Sequence, residues 1–474
     1  MIKREKRKIY TIVLAVVSLF VTAASLIIRD TFAAPTTAVI DSEGYIMITT
    51  ASQLDAIRNR TSGRYRLYAD IDLKEYVSMT NQPDKGWYPI GYGAPYFRGE
   101  FDGNGHTISG LWSNNKACVS DKGLFSVLMG AIVMNVNIVL EPAGISGASH
   151  IGAIAGEARN GSVIQNCTVR GGQIAATGSH AGGIVGFTYG DPNVVMKDCI
   201  VYDTYIKTEG NYAGGIVGAA DDQTLILRCQ SVNVGVYAAS YAGGLAGAIK
   251  GYSAVSNACA GGTVNTKASY AGGLVGIVYE GSAITGSYAA SDVSANHYSG
   301  GLVGALHGNS TISRSCAYGN VTVNNYIAGG LVGEAIASRI SNSFARGNVI
   351  GSTGVGGLVG YFSGSGKAND KSVENCYSSG AVTGTGTAEY GAFNGRSGVE
   401  YLGTNYYDAD KALVSRGYGS AGNPSGKTDS YPQGISTLDM MKQDSFSGWD
   451  FNNIWTIDEN QSYPYLKILT EVSI

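Results

Sequence analysis

The chain has 474 residues, among them 68 Gly, 31 Tyr and only 9 Pro, with 15% charged residues and a formal net charge of -3. That charge gives no basic field for nucleic acid, and so apolar a composition is not that of a disordered chain. Many glycines and few prolines suit short strands joined by tight turns. The length would allow several domains, but repeat folds grow along one axis without dividing.

At the N-terminus Lys3, Arg4, Lys6, Arg7 and Lys8 precede an apolar run from Ile9 to Ile28, and Ala33-Ala34 follow. This order reads as an export signal, residues 1–34, either cut near Ala33 or Ala34 or kept as a membrane anchor, since twenty apolar residues just span a bilayer. Positive charge inside then sets the rest outside. Residues 41–121 come next as an N-terminal cap. Ser52 and Asp55 resemble a capping box before a short helix, and the stretches 65–73, 87–91 and 96–111 alternate as strands, broken by a turn at Asp102-Gly103-Asn104-Gly105.

From 122 to 400 one unit repeats. AGGIVG (181–186 and 213–218), AGGLAG (242–247), AGGLVG (271–276), SGGLVG (299–304), AGGLVG (328–333) and VGGLVG (355–360) share one phase, with IGAIAG (151–156) as an earlier degenerate copy. The first glycines of these copies, from Gly152 to Gly356, are 27 to 32 residues apart. Apolar positions recur in the same phase: Ile184, Ile216, Leu245, Leu274, Leu302, Leu331 and Leu358; then Ile164, Val195, Ile226, Ile284, Ile312 and Ile340; then Val264, Val293, Val321, Val349 and Val382. Three short strands per unit cannot bury such residues alone, whereas stacked copies close a continuous core in which each buried Leu or Ile stabilises by ~1.5–3 kcal/mol. The expectation is an all-β, right-handed parallel β-helix of about ten coils with a cap at each end. Its rungs lie ~4.8 Å apart and superpose equivalent residues. The Gly-Gly step is expected at a corner where positive φ or close backbone approach excludes a Cβ.

Three rows within the array invite a functional reading. Cys167, Cys199, Cys229, Cys259, Cys316 and Cys376, with Tyr288 and Phe344 in the same place, read as one inward ladder of free thiols, with a Cys167–Cys199 or Cys229–Cys259 bridge as the alternative. Tyr212, Tyr241, Tyr270 and Tyr298 stand two residues before the glycine pair and Tyr326 one further back. Exposed, they form a ligand-binding strip for sugar rings or a partner's side chains; packed along a corner, they are structural. His150 and His180 share a phase and read as turn-lining residues. Asp221-Asp222, the one adjacent acidic pair in the array, reads as solvated turn acids. No catalytic, cofactor-binding or metal-binding residue is singled out.

Residues 401–474 are expected to form a loop-rich connection, a short helix at Thr437 to Met441 and a C-terminal cap rich in bulky groups, among them Trp449, Phe451, Trp455 and Tyr463.

The repeated G-G-L/I-V-G core resembles the GLUG motif, a repeat found in bacterial surface proteins, in adhesins and in N-terminal regions of zinc-dependent immunoglobulin A peptidases. The flanks LDAIRNRTSGRYRLYADIDL and WDFNNIWTIDENQSYPYLK are similar to the segments that bracket such arrays. The resemblance implies a parallel β-helix on a bacterial surface and no particular ligand. The peptidases' His-Glu-x-x-His is absent from this sequence. The reading that follows is an extracellular, secreted or cell-surface, non-enzymatic adhesin or binding scaffold for a glycan or protein. It needs no cofactor or nucleic acid and touches a membrane only through an uncleaved N-terminal segment. The alternatives are a polysaccharide-active β-helix enzyme and a structural spacer.

Overall fold

The computed structural model describes residues 38–80, 85–114, 119–363, 373–385, 389–397, 404–419 and 432–469. The expected export segment, residues 1–34, lies outside them. Among the described residues no helix is long and apolar enough to cross a membrane.

The chain is a parallel β-helix. Its sheets run up the faces of one solenoid and pair strands a full coil apart, as Tyr241–Gly243 with Tyr270–Gly272 and that strand with Tyr298–Gly300. One coil shows the plan: Tyr270–Gly272, Val275–Val278, Ala283–Thr285, Tyr288–Ala289 and Asp292–Ala295 follow one another round the core, five short strands where the sequence suggested three. Elsewhere longer strands, such as Asn137–Gly147 and Gln230–Ala238, run round a corner and join two faces. The largest open sheet has twelve strands, and its first three, Ile46–Ile48, Arg64–Leu67 and Glu100–Asp102, come from before the GLUG-like copies. At ~4.8 Å per rung the rod is about 55 Å long.

The three apolar rows expected from the repeat point into the core and are almost fully buried, with one exception. Met196, not Val195, takes the inward place beside Ile164 and Ile226, and Val195 pairs with Val163 and Leu225 on the half-buried outer side. With a period of two, a one-residue slip in a short strand exchanges the faces.

The Gly-Gly corner is limited by space, not by φ. Neither glycine of any pair is left-handed. A Cβ on Gly272 would stand 1.9 Å from the Val275 carbonyl oxygen and 2.7 Å from the Gly304 nitrogen, and one on Gly273 2.0 Å from the Gly301 carbonyl oxygen. Left-handed backbone gathers at a different corner, where Asn135, Asn166, Asp198, Arg228, Asn257, Gly286, Arg314, Asn342 and Asn375 stack with φ between 47° and 59°. Asn and Asp tolerate this region best among residues with a Cβ. Their side chains also bridge rungs, as Asn166 Nδ2 donating to Asn135 Oδ1 at 2.8 Å.

The short N-terminal helix, Ala51–Ala56, is capped two residues earlier than the sequence suggested. Thr50 and Gln53 form the capping box, and Asp55 instead pairs with Arg58. The segment from Gln433 onward makes two 3₁₀ turns, Asp439–Met441 and Gln443–Ser445, and then lies along the flank of the helix. Its Met440, Phe446, Trp449, Trp455, Tyr463 and Leu466 form a second apolar cluster with Cys259, Tyr288, Cys316, Phe344, Tyr377 and Tyr406.

That cluster divides the cysteines into two rows. Cys167, Cys199, Cys229 and Cys376 belong to the main core, while Cys259 and Cys316 pair in register with Tyr288 and Phe344 and belong to the flank. A Cys229–Cys259 bridge is thereby excluded, because those side chains enter different cores. All six described cysteines are buried and unbridged, and burial pushes the thiols of Cys259, Cys316 and Cys376 up, in each case against weaker opposing bonds.

Candidate functional site: the open aromatic corner

The tyrosine row forms a stacked ladder. Ring centroids of Tyr212 and Tyr241 lie 4.9 Å apart with planes 17° apart, those of Tyr241 and Tyr270 5.6 Å and 9°, and those of Tyr270 and Tyr298 4.9 Å and 22°. These four are half-buried. Tyr326 departs from the ladder: Ile327 takes the register position beside Tyr298, and the Tyr326 ring is tilted by 59° and 45% exposed. Toward the N-terminus His180 stacks on Tyr212 at 5.0 Å, and the His150 ring lies 5.0 Å from that of His180, tilted by 48°. Aligning the bridges of Lys122 with Ile151 and of Ile151 with Ala181 places Asp121, His150 and His180 one above another at the start of the same row.

Stacking decides what this ladder can offer. A ring sandwiched between two others has both faces covered, so Tyr241 and Tyr270 present edges and phenol oxygens but no open face for a sugar ring. Tyr298, stacked on Tyr270 on one side alone, and the tilted, exposed Tyr326 are not sandwiched in this way.

The neighbouring outer row, seven residues after each ladder position, explains how the rings lie flat. Ala219, Ala248 and Ala305 are small and buried there, whereas Glu157, Phe187, Ile277 and Glu334 bring bulk or charge. Glu334, only 8% exposed, takes a hydrogen bond from Tyr270 Oη at 3.4 Å and lies 2.9 Å from His307 Nε2. Burial and then the Glu334 charge push the Tyr270 phenol up. One row further out Lys250 Nζ pairs with Asp221 at 2.6 Å, and burial pushes nearby Tyr279 up to about 12. Asp221 is thus committed to Lys250, while Asp222 stands exposed in a left-handed turn, so the two do not converge as a carboxylate pair.

At the N-terminal end His150 Nδ1 is 2.8 Å from Asp121 Oδ1 and 3.0 Å from Glu157 Oε1. Burial works against its charged form, but the bonds to Asp121 and Glu157 outweigh burial and hold His150 at about 9. Among the described residues His180 has no such partner; burial, with the charges of His150 and Lys250, pushes it down to about 3. The sequence reading found the two histidines and missed both acids. The repeat phase carried a signal for Asp121, one residue before Lys122 as His150 is before Ile151, but little for Glu157, where most other coils have an apolar or aromatic residue and one has Glu334.

Fold and surface together define the class: a β-helical repeat protein whose outer corner carries an open ladder of phenols. The GLUG motif family model matches residues 324–350, within one coil of the array. It is 35% identical over 148 residues to a halomucin of Haloquadratum walsbyi, covering 30% of this chain and 2% of that protein. It is 34% identical over 131 residues to a protein of Evansella cellulosilytica named as a Gly-rich membrane protein, covering 27% of this chain and 14% of the relative. The matches thus span a small share of these relatives' length, and neither name is that of an enzyme. Among solved structures, a Bacteroides ovatus chain described as an immunoglobulin A1 protease matches with a TM-score of 0.32 at 17% identity, over 91% of this chain and 95% of that one. A second, an IgA1 protease, matches with a TM-score of 0.30 at 19% identity, over 75% of this chain and 23% of that one. Scores at this level do not align one site with another.

Proposed function

We propose that the chain is a non-enzymatic binding scaffold or adhesin of the cell surface or extracellular space, whose open corner holds an extended glycan or protein ligand by hydrogen bonds to the phenol edges of Tyr212, Tyr241, Tyr270 and Tyr298. The observation that supports this most is the half exposure of four stacked tyrosines on consecutive rungs, because such a row repeats one donor-acceptor group at the rung spacing along a straight line. An extended polymer meets that line at several points at once, which raises avidity without any deep pocket. The names of the two relatives agree with a surface location. Probing the full chain on glycan and protein arrays tests the reading. Binding that the Tyr241→Ser, Tyr270→Ser double variant loses supports it, and binding that survives the double change removes the ladder from the contact.

The enzyme alternative has one point of support, the buried Glu334 against His307 and Tyr270. It requires turnover of a polysaccharide that Glu334→Gln abolishes. The binding reading predicts no turnover in either protein.

A further inference from the structure

The N-terminal end of the ladder brings together three side chains that neither motif nor spacing had joined. Asp121 lies at the same corner one coil before His150, and Glu157 comes from the strand Ala155–Arg159 on the adjacent face. Their donor atoms all lie within 4.8 Å of one another. Both carboxylates converge on the same imidazole nitrogen, Nδ1, at 2.8 and 3.0 Å. One N–H cannot point straight at two acceptors, so as a hydrogen-bonded group the cluster offers two good acceptors to one donor. Beside it His180, ring on ring with His150 at 5.0 Å, has its Nδ1 buried and without a hydrogen-bond partner among the described residues.

From this convergence we propose that Asp121, His150 and Glu157 form a divalent cation site and that its occupant is Zn²⁺. The donor set is one imidazole nitrogen and two carboxylate oxygens, which suits a borderline ion better than a purely hard or purely soft one. The side chains are 30%, 25% and 12% exposed, so the site is walled on the protein side and open outward, leaving a position for water or for a ligand's oxygen. Phe187 closes one side, its ring 5.6 Å from His150. Arg159 lies 3.8 Å from the other oxygen of Glu157 and is held by the Tyr189 hydroxyl and the Tyr96 ring. On binding, Zn²⁺ takes the place of the Nδ1 hydrogen. The imidazole keeps its hydrogen on Nε2, and the displaced proton leaves to solvent. This proposal does not depend on the adhesin reading, but an ion here would add a charged anchor at the end of the phenol line.

The test is zinc titration of the full chain after chelation, by calorimetry and by the visible spectrum of the Co²⁺-substituted protein. One Zn²⁺ per chain is expected, with d–d bands of an N/O-ligated Co²⁺. Glu157→Gln and Asp121→Asn should each weaken binding about 10-fold or more, while Asp222→Asn leaves it unchanged. Circular dichroism without metal shows whether a variant has folded, and the Co²⁺ spectrum of the unaltered chain decides the matter even if both variants fail to fold. Absence of uptake at millimolar zinc would overturn the proposal and leave an imidazolium held between two carboxylates. So would uptake that Glu157→Gln and Asp121→Asn, both folded, leave unchanged.

Discussion

Two aromatic rows climb the outside of this helix. Tyr288, Phe344, Tyr377 and Tyr406 lie under the C-terminal segment and are at most 8% exposed, whereas Tyr212, Tyr241, Tyr270 and Tyr298 stand half-buried at the opposite side of their glycine corner. The covered row is tied down by a dense set of contacts. Phe344 stacks on Tyr377 at 4.9 Å, Tyr377 Oη donates to the Pro464 carbonyl at 2.8 Å, and Arg346 reaches the same carbonyl at 3.1 Å. The open row has its own neighbours above and below and little else over it. A repeat places like residues in line on either flank, and what covers the line decides whether it contributes stability or remains available to a ligand.

The largest expected effect separates the open ladder from the corner that carries it. Gly272 lies two residues from Tyr270, in the same strand, yet Gly272→Val drives a side chain into the Val275 carbonyl and the next rung. It should cost about 3 kcal/mol or more and impair folding, read by thermal denaturation. A small change would show that the corner has room the structure denies.

On the covered flank Phe344→Ala should cost about 3–5 kcal/mol, because it empties a fully buried place between two stacked layers. Urea denaturation followed by the fluorescence of Trp449 and Trp455 should show the C-terminal segment releasing early. Arg346→Met takes the Arg346 donor from the Tyr463 carbonyl and leaves Pro464 only its bond from Tyr377, and should cost about 1–3 kcal/mol, with faster proteolysis of the segment as its sign. At the bottom of the scale Asp222→Asn, at an exposed turn, should shift stability by no more than about 0.5 kcal/mol.

The repeat made most of the fold legible: a phase kept across units fixes which residues superpose, and hence the inward Ile184-to-Leu358 row and the tyrosine ladder. What escaped was what the phase does not carry. The left-handed corner is built from Asn, Asp and Arg, whose αL preference is weaker than the signal a glycine gives. The covered flank depends on contacts more than a hundred residues apart, such as Trp455 Nε1 donating to Asn342 Oδ1 across a separation of 113. Glu157 joined Asp121 and His150 only because two faces meet at one corner, and the merged cysteine row came from a one-residue offset that exchanges inside for outside. The stacking of the tyrosines was readable from the spacing, but not the consequence that their faces are hidden.

The central claim is that the open ladder is spared from folding so that it can bind. The measurement that tests it most directly compares ligand binding and melting temperature in the Tyr241→Ser, Tyr270→Ser double variant. The change removes three stacked pairs at about 0.5–1.5 kcal/mol each, so each substituted residue should cost less than Phe344→Ala, while binding to the array-identified ligand disappears. A fall in stability per substituted residue as large as that of Phe344→Ala, with ligand still bound by the folded fraction, would contradict the claim and make the ladder part of the scaffold alone.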